Sequence, residues 1–426
     1  MSSIISDESF QLVRATAPVV AEHIEEITGT FYPKMLGRHP ELYQFFNESN
    51  QRAVPGLCPA ASGVVTTRQS KTLGDAVVQY ALNIDKLENL NEAVLRIAHK
   101  HCALGVKAEH YQIVHDNLME AIGEVLGSAV TPEVAAAWSE AVMALGKIFI
   151  EQEQKLYNEA EKVQWSGPKE FIITDIIDET PVVKSFRMKS KDGQKVCPFK
   201  PGQYLSIYEQ PNNKKYFAPR HYTITSQPED DFYQITIKKL IDPAVPDDRT
   251  HDGILSHYLH SKNVNDVIKL GPIFGPEVLL QGEKSRVAAF ISVGIGITPT
   301  MGILPTAVKE RPRTAVFHGD VNGSNHVSRE ALEEFGNEQS LFSYSYFNPD
   351  EADTKLQHYS EGLLTGSKIV DKLKDAGVNF ATGTDYFICA GPTVAPILVN
   401  ELRELGVDKK LLHLEFFGPF VSLIEE

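Results

Sequence analysis

The sequence predicts three consecutive folds on one chain: an all-α domain, an antiparallel β-barrel and an α/β domain with a parallel sheet. Three observations carry this. Apolar residues recur at helical spacing, uninterrupted by any strand pattern, over residues 1–160. Short β-rich runs separated by turn residues fill 168–280, the pattern of an antiparallel barrel. From 285 to 426 strand-like runs alternate with helical stretches, which implies crossover connections and a doubly wound parallel sheet. A chain of 426 residues has room for two or three such domains.

Composition excludes several classes. Apolar residues make up 42% and charged residues 23%, as in globular proteins, so a disordered, collagenous or disulfide-stapled chain is not expected. Acidic residues outnumber basic ones by 56 to 41, and the net charge of −15 opposes nucleic-acid binding. Cys58, Cys102, Cys197 and Cys389 form no C-x-x-C pair, which fits reduced thiols and gives no zinc or disulfide framework. Acidic residues come early, at Asp7 and Glu8, and the N-terminal stretch lacks an apolar core region, so no signal peptide is expected and a cytoplasmic location is. Residues 287–308 carry no charge, but Gly294, Gly296, Pro299, Gly302 and Pro305 read as a strand, a turn and a helix start, not a membrane span.

In the helical region, Val77, Tyr80, Ala81 and Ile84 share one face, as do Ile113, Val114, Leu118 and Ile122. Thr131-Pro132-Glu133 starts a long helix running past Tyr157: a capping hydroxyl, a proline in the first turn, an acid at the positive end. His101 falls on one face with Ile97 and Leu104. A neutral imidazole among apolar neighbours is what a haem's proximal ligand requires. The chain has 14 histidines, and an ordinary core histidine satisfies the same spacing. Tyr111 and Glu153 are candidates to back the other ring nitrogen. Phe31-Tyr32 and Arg68-Gln69-Ser70 are candidates for polar groups on the opposite side.

In the barrel the expected strands are 171–177, 182–188, 203–208, 221–225 and 232–238. Alternation sends Arg220 and Tyr222 to one face and His221 and Thr223 to the other. An arginine can pair a pyrophosphate, an aromatic ring can stack on an isoalloxazine, and a hydroxyl can bond a flavin nitrogen. Tyr204, after Pro201-Gly202-Gln203, adds an aromatic at a strand start. Gly253 and Ser256 open a helix whose amides suit phosphate. An ordinary cross-strand set fits these residues too.

In the last region the expected strands are 287–293, 314–318, 342–347 and 386–390, with a helix over 394–405. Gly294-Ile295-Gly296-Ile297-Thr298-Pro299 follows the first strand. Glycines there allow a tight turn with close backbone approach, and exposed amides favour phosphate. Asp320, after the second strand, could accept ribose hydroxyls and hints at NADH over NADPH.

Phe31-Tyr32, His39-Pro40-Glu41-Leu42, Phe45-Phe46-Asn47, Asn50-Gln51, Lys100-His101 and Glu109-His110-Tyr111-Gln112-Ile113-Val114 together resemble the globin domain of flavohaemoglobins. The resemblance continues through the later motifs, which are similar to ferredoxin-reductase-type FAD and NAD domains, and spans nearly the whole chain. It implies a globin domain at 1–160 holding haem b, an FAD-binding barrel at 168–280 and an NAD(P)-binding domain at 285–426. It implies that His101 binds iron, that Tyr111 and Glu153 form a proximal relay, and that Tyr32, Gln69 and Leu73 line the distal pocket with Phe46 on the porphyrin. By the same resemblance Tyr204, Arg220, His221, Tyr222, Thr223, Gly253 and Ser256 hold FAD, and Gly294, Gly296 and Thr298 hold NAD(P)H. In Glu415-Phe416-Phe417-Gly418-Pro419, Phe417 would cover the flavin and Glu415 would reach Lys100.

Three departures stand out. The stretch 52–67 is longer than the family usually has, and a tolerated surface insertion is favoured over a loop that alters ligand access. Gly275-Pro276-Glu277 replaces a glycine–acid–aromatic run, and Ala390 stands where cysteine is usual. The activity implied is conversion of nitric oxide and oxygen to nitrate at a haem reduced through FAD. Two alternatives stay open: a flavin reductase serving other acceptors, and a haem-based gas sensor. A monomer with no obligatory protein partner and no membrane attachment is expected.

Overall fold

The computed structural model describes residues 5–46, 67–211, 217, 219–240, 253–277, 282–415 and 417. Among them, helices α1–α6 (Asp7–Glu22, Ile24–Arg38, Arg68–Leu82, Asn91–Leu104, Ala108–Leu126 and Pro132–Val163) form one compact unit, and two six-stranded sheets form another.

Helix starts follow capping chemistry. The Ser6 hydroxyl accepts the Ser9 N–H at 3.3 Å, and the Thr67 hydroxyl accepts the Ser70 N–H at 3.0 Å. Thr131 caps α6 as expected, with Pro132 in its first turn. The apolar stripes meet in a core built on Ile27, Phe31, Met35, Leu118 and Trp138, all buried. The Trp138 indole N–H is not left unsatisfied there: it donates to Thr16 Oγ1 at 2.8 Å.

The first sheet is antiparallel, ordered β4-β3-β6-β1-β2-β5, from strands β1 (Lys169–Thr180), β2 (Val183–Ser190), β3 (Tyr204–Ile207), β4 (Arg220–Thr223), β5 (Tyr233–Lys238) and β6 (Val267–Leu270). Ile224 bridges to Ile235, so the two edge strands meet and the sheet closes into a barrel. A short helix, α7 (Ile254–His260), precedes β6. Strand β6 was not anticipated from sequence.

The second sheet is parallel, ordered β10-β9-β8-β7-β11-β12. Its strands are β7 (Val287–Val293), β8 (Thr314–Asp320), β9 (Leu341–Tyr346), β10 (Tyr359–Glu361), β11 (Thr384–Cys389) and β12 (Leu412–Glu415). Strand β10 was likewise not anticipated from sequence. Helices α8 (Thr298–Glu310), α9 (Arg329–Phe335), α10 (Gly366–Asp375) and α11 (Val394–Glu404) make the connections. The order reverses between β7 and β11, and a ligand crevice is expected outside the carboxyl ends of strands at such a point. No helix among the described residues is long and apolar enough to cross a membrane.

One buried group gives this sheet a pH dependence. His326 is 6% exposed, with its Nδ1 at 2.8 Å from the Tyr346 hydroxyl and its ring 4.2 Å from that of His318. Burial first, then His318 and Arg329, hold its pKa well below the ordinary 6.5. The unfolded chain therefore takes up a proton near pH 6.5 that the folded chain refuses. Stability is full above that pH and falls below it, by up to about 1.4 kcal/mol per pH unit. His326→Asn keeps a group for Tyr346 and is expected to flatten the acid limb of Tm against pH. An unchanged slope would place the acid sensitivity elsewhere.

Candidate functional site

In the helical unit, three elements converge on His101. It sits on the last turn of α4, and its Nδ1 lies 2.8 Å from Glu153 Oε1 on α6 and 3.0 Å from the Tyr111 hydroxyl on α5. The Tyr111 hydroxyl also donates to Glu153 Oε1. Burial, and then the neighbouring Glu153, push the Tyr111 pKa far up, so the phenol stays protonated. The Glu153 carboxylate is 2% exposed and has these two donors in place of water. A carboxylate at Nδ1 places the ring proton there and leaves Nε2 with its lone pair outward. Among the described residues nothing bonds Nε2. Phe149 lies beside the ring at 5.7 Å between centroids.

A second polar pair lies on α2 and α3. Gln69 Nε2 donates to the Tyr32 hydroxyl at 3.3 Å, and the Tyr32 ring meets Phe46 edge-on at 5.5 Å. Tyr32 is 6% exposed, and that burial raises its pKa, so it too stays protonated. Its oxygen accepts from Gln69, which leaves its own proton for another acceptor. Leu73, Phe46, Ile84 and Val114 pack on the core yet remain partly exposed. A flat apolar macrocycle fits this set: apolar side chains to cover it, and an imidazole with an available Nε2. The loop residues 52–66, Cys58 included, lie outside the described residues.

In the barrel, β3 and β4 pair Tyr204 with Thr223, Leu205 with Tyr222 and Ile207 with Arg220. Directly opposed residues share a face, so Tyr204 joins Thr223 and His221, and its ring stacks on His221 at 5.0 Å. Arg220 and Tyr222 point the other way and are half-buried. The Ser256 hydroxyl donates to the Gly253 carbonyl at 2.9 Å and accepts the Leu240 N–H at 3.1 Å, which folds the start of α7 back on the end of β5.

In the parallel sheet, Gly294–Ile297 forms a tight turn into α8, whose second residue is Pro299. Gly296 is required by close approach: a Cβ there would lie 2.1 Å from the Cys389 carbonyl oxygen. Gly302 is required likewise, since its Cβ would lie 2.6 Å from the Ile224 carbonyl oxygen. These two contacts bring the turn against the end of β11 and α8 against the continuation of β4. Gly296→Ala is expected to destabilise the two-sheet unit by roughly 2–4 kcal/mol, because only backbone can move aside. Thermal unfolding followed by circular dichroism checks this. Cys389 pairs with both Ser292 and Glu415, so Glu415 stands at the same carboxyl edge. Phe417 is 51% exposed, while Phe416, Gly418 and Pro419 lie outside the described residues.

A globin family model matches residues 29–148, and an oxidoreductase FAD-binding domain model matches 170–276. The flavohemoprotein of Bacillus subtilis (strain 168) is 31% identical over 429 residues, covering 99% of this chain and 100% of the relative. The chain belongs to the flavohaemoprotein family. A flavohemoglobin structure from Malassezia yamatoensis, with bound FAD and heme, shares the fold with a TM-score of 0.80 at 23% identity, covering 97% of this chain and all of that one. The FAD/NAD-binding domain of a Vibrio cholerae nitric oxide dioxygenase matches with a TM-score of 0.50 at 25% identity, covering 59% of this chain and 99% of that one.

This flavohaemoprotein is therefore an NAD(P)H-dependent haem oxidoreductase that uses haem, FAD and NAD(P)H. Phe149 is a neighbour of His101 that the motifs around His101 do not reveal. The signal was present, since Phe149 and Glu153 are four residues apart on α6 and share a face. The role of Gly302 likewise appears only when α8 meets the barrel.

Proposed function

We propose that this flavohaemoprotein converts nitric oxide and oxygen to nitrate, with His101 as the iron ligand and Tyr32 and Gln69 as the groups that face the substrates. The bonded set His101–Glu153–Tyr111 is the observation that carries this reading. Bound haem would supply oxygen chemistry, and bound FAD would convert a two-electron donor into single electrons. Glu153 fixes the His101 tautomer and, as a buried carboxylate, makes Nε2 a stronger donor. Tyr32 holds a proton ready for a polar ligand, oriented by Gln69. Phe46, edge-on to the Tyr32 ring, and Leu73 would help keep water from that proton. Arg220, Tyr222 and Thr223 would hold FAD, and Gly294, Gly296 and Thr298 would hold NAD(P)H at the switch point of the sheet.

The test is an anaerobic absorption spectrum before and after NADH, followed by oxygen and nitric oxide. Flavin bleaching, a ferrous haem spectrum and stoichiometric nitrate are expected. Flavin reduction without nitrate would overturn the reading. Glu153→Gln is expected to keep haem but lower nitrate turnover roughly 10-fold, since losing an outer partner of a ligating histidine costs about 10–100-fold. The iron–histidine stretch in the Raman spectrum should fall with it. A turnover equal to the parent's would remove Glu153 from the mechanism.

A further inference from the structure

Ser328 is one of three non-glycine residues among the described residues in the left-handed region, at φ 53°. Such backbone is unfavourable for a side-chain-bearing residue and persists only where the surroundings hold it. Here the surroundings are in the barrel. The Ser328 hydroxyl donates to Glu179 Oε2 at 3.0 Å, across 149 residues of sequence, from the loop before α9 to the end of β1.

Glu179 is also the end of a buried polar chain. Ser185 donates to Glu179 Oε1 at 2.6 Å, and a carboxylate can only accept. The Ser185 proton is thereby committed, so Thr236 donates to Ser185 at 2.8 Å. The Thr236 proton is committed in turn, and Thr225 Oγ1 stands 3.2 Å from Thr236 Oγ1 and 3.3 Å from the Gln234 carbonyl oxygen, the two acceptors its own proton can reach. Gln234 Nε2 lies 3.4 Å from Thr225 Oγ1, and Arg187 Nε, 2.9 Å from Gln234 Oε1, fixes which way that amide faces. The Ser185 and Thr236 hydroxyls thus point toward Glu179, and Thr225 joins the chain at its far end. Ser185, Thr236 and Thr225 are all buried, and Thr225 lies two residues beyond Thr223 on the flavin-side strand.

The same loop is fixed at its other end. The Gly323 N–H donates to Asp353 Oδ1 at 3.0 Å, and Asp353 is 2% exposed. Between α9 and the barrel lies a cleft of about 720 Å³, lined by Arg187, Phe232 and Gln234 on one side and Arg329 and Phe335 on the other. Glu179 and Ser328 bridge that cleft.

We propose that Glu179 and Ser328 are positioning residues: a latch that sets the nicotinamide-nucleotide edge of the parallel sheet against the flavin strand of the barrel. The inference rests on the reading that Arg220–Thr223 face FAD and Gly294, Gly296 and Thr298 face NAD(P)H. Losing the latch misplaces donor and acceptor without removing a group that touches either, and small misplacements slow transfer steeply.

The experiment is anaerobic stopped-flow reduction of the flavin by NADH in the full holoprotein, for Ser328→Gly, Glu179→Gln and the double variant. Ser328→Gly removes the hydroxyl and relieves the left-handed backbone, so its Tm should not fall. We expect the saturating rate of flavin reduction to drop roughly 10-fold in either single variant, and no further in the double one. The dissociation constant of ADP-ribose, by calorimetry, should stay within about twofold. Reduction by dithionite should be unchanged. Parent-like rates in both single variants overturn the latch, as does a double variant whose losses multiply. Thr298→Ala tests the underlying reading separately: it should weaken NADH binding roughly 5-fold, about one net hydrogen bond. Unchanged binding there overturns the placement of the nucleotide, and the latch with it.

Discussion

His101→Ala is expected to abolish nitrate formation while leaving NADH-driven reduction of a soluble acceptor such as ferricyanide intact. The substitution removes the one imidazole whose Nδ1 is held by Glu153 and Tyr111. It leaves both sheets, in a separate compact unit, without a changed residue. The Soret absorbance per mole of protein should fall to a small fraction of the parent's, with the flavin absorbance unchanged. Glu153 would remain buried with the Tyr111 hydroxyl as its donor, so a loss of roughly 2 kcal/mol in the stability of the helical unit is also expected. Added imidazole, which fits the space left by the side chain, should restore part of the Soret band. A variant that kept full haem and full turnover would exclude His101 as the iron ligand.

Tyr32→Phe is the second large effect. The ring keeps its packing against Phe31 and Phe46. Only the hydroxyl is lost, and with it the acceptor for Gln69. Haem content and flavin reduction should match the parent. Nitrate turnover should fall roughly 10²-fold, the usual cost of one oriented donor facing developing charge. The rate of oxygen dissociation should rise in the same variant, since ground-state binding uses the same proton. Equal turnover would show that the Tyr32 proton is not used. Of the two variants Tyr32→Phe separates the readings open to the sequence: acceptor reduction surviving His101→Ala is common to all, whereas loss of nitrate in Tyr32→Phe belongs to the dioxygenase alone.

Much of this site was legible residue by residue, and almost none of its geometry was. His101 was visible as a histidine on an apolar face, and Gly294 and Gly296 as a turn after a buried strand. The alternation of Arg220, His221, Tyr222 and Thr223 was visible because a strand's period is two. What periodicity did not contain was which distant group each one meets. Ser256 illustrates this: its place at a helix start suggested phosphate contact, and the structure also shows its hydroxyl tying α7 to Leu240.

The three folds, their order along the chain and the start of the long helix at Thr131 are legible in the sequence alone. Each of these follows from interactions within a few residues: apolar spacing of 3.6 or 2, a Thr131 hydroxyl over a helix end, a proline and glycines at a turn. That Tyr111 and Glu153, 10 and 52 residues from His101, meet at one nitrogen follows from the packing of three helices. The tertiary structure alone decided that Gly296 must be bare for the Cys389 carbonyl, and that Glu179 is joined to Ser328. Such meetings depend on how helices and sheets close around shared cores, and a packed interior sets distances between groups that no local pattern relates.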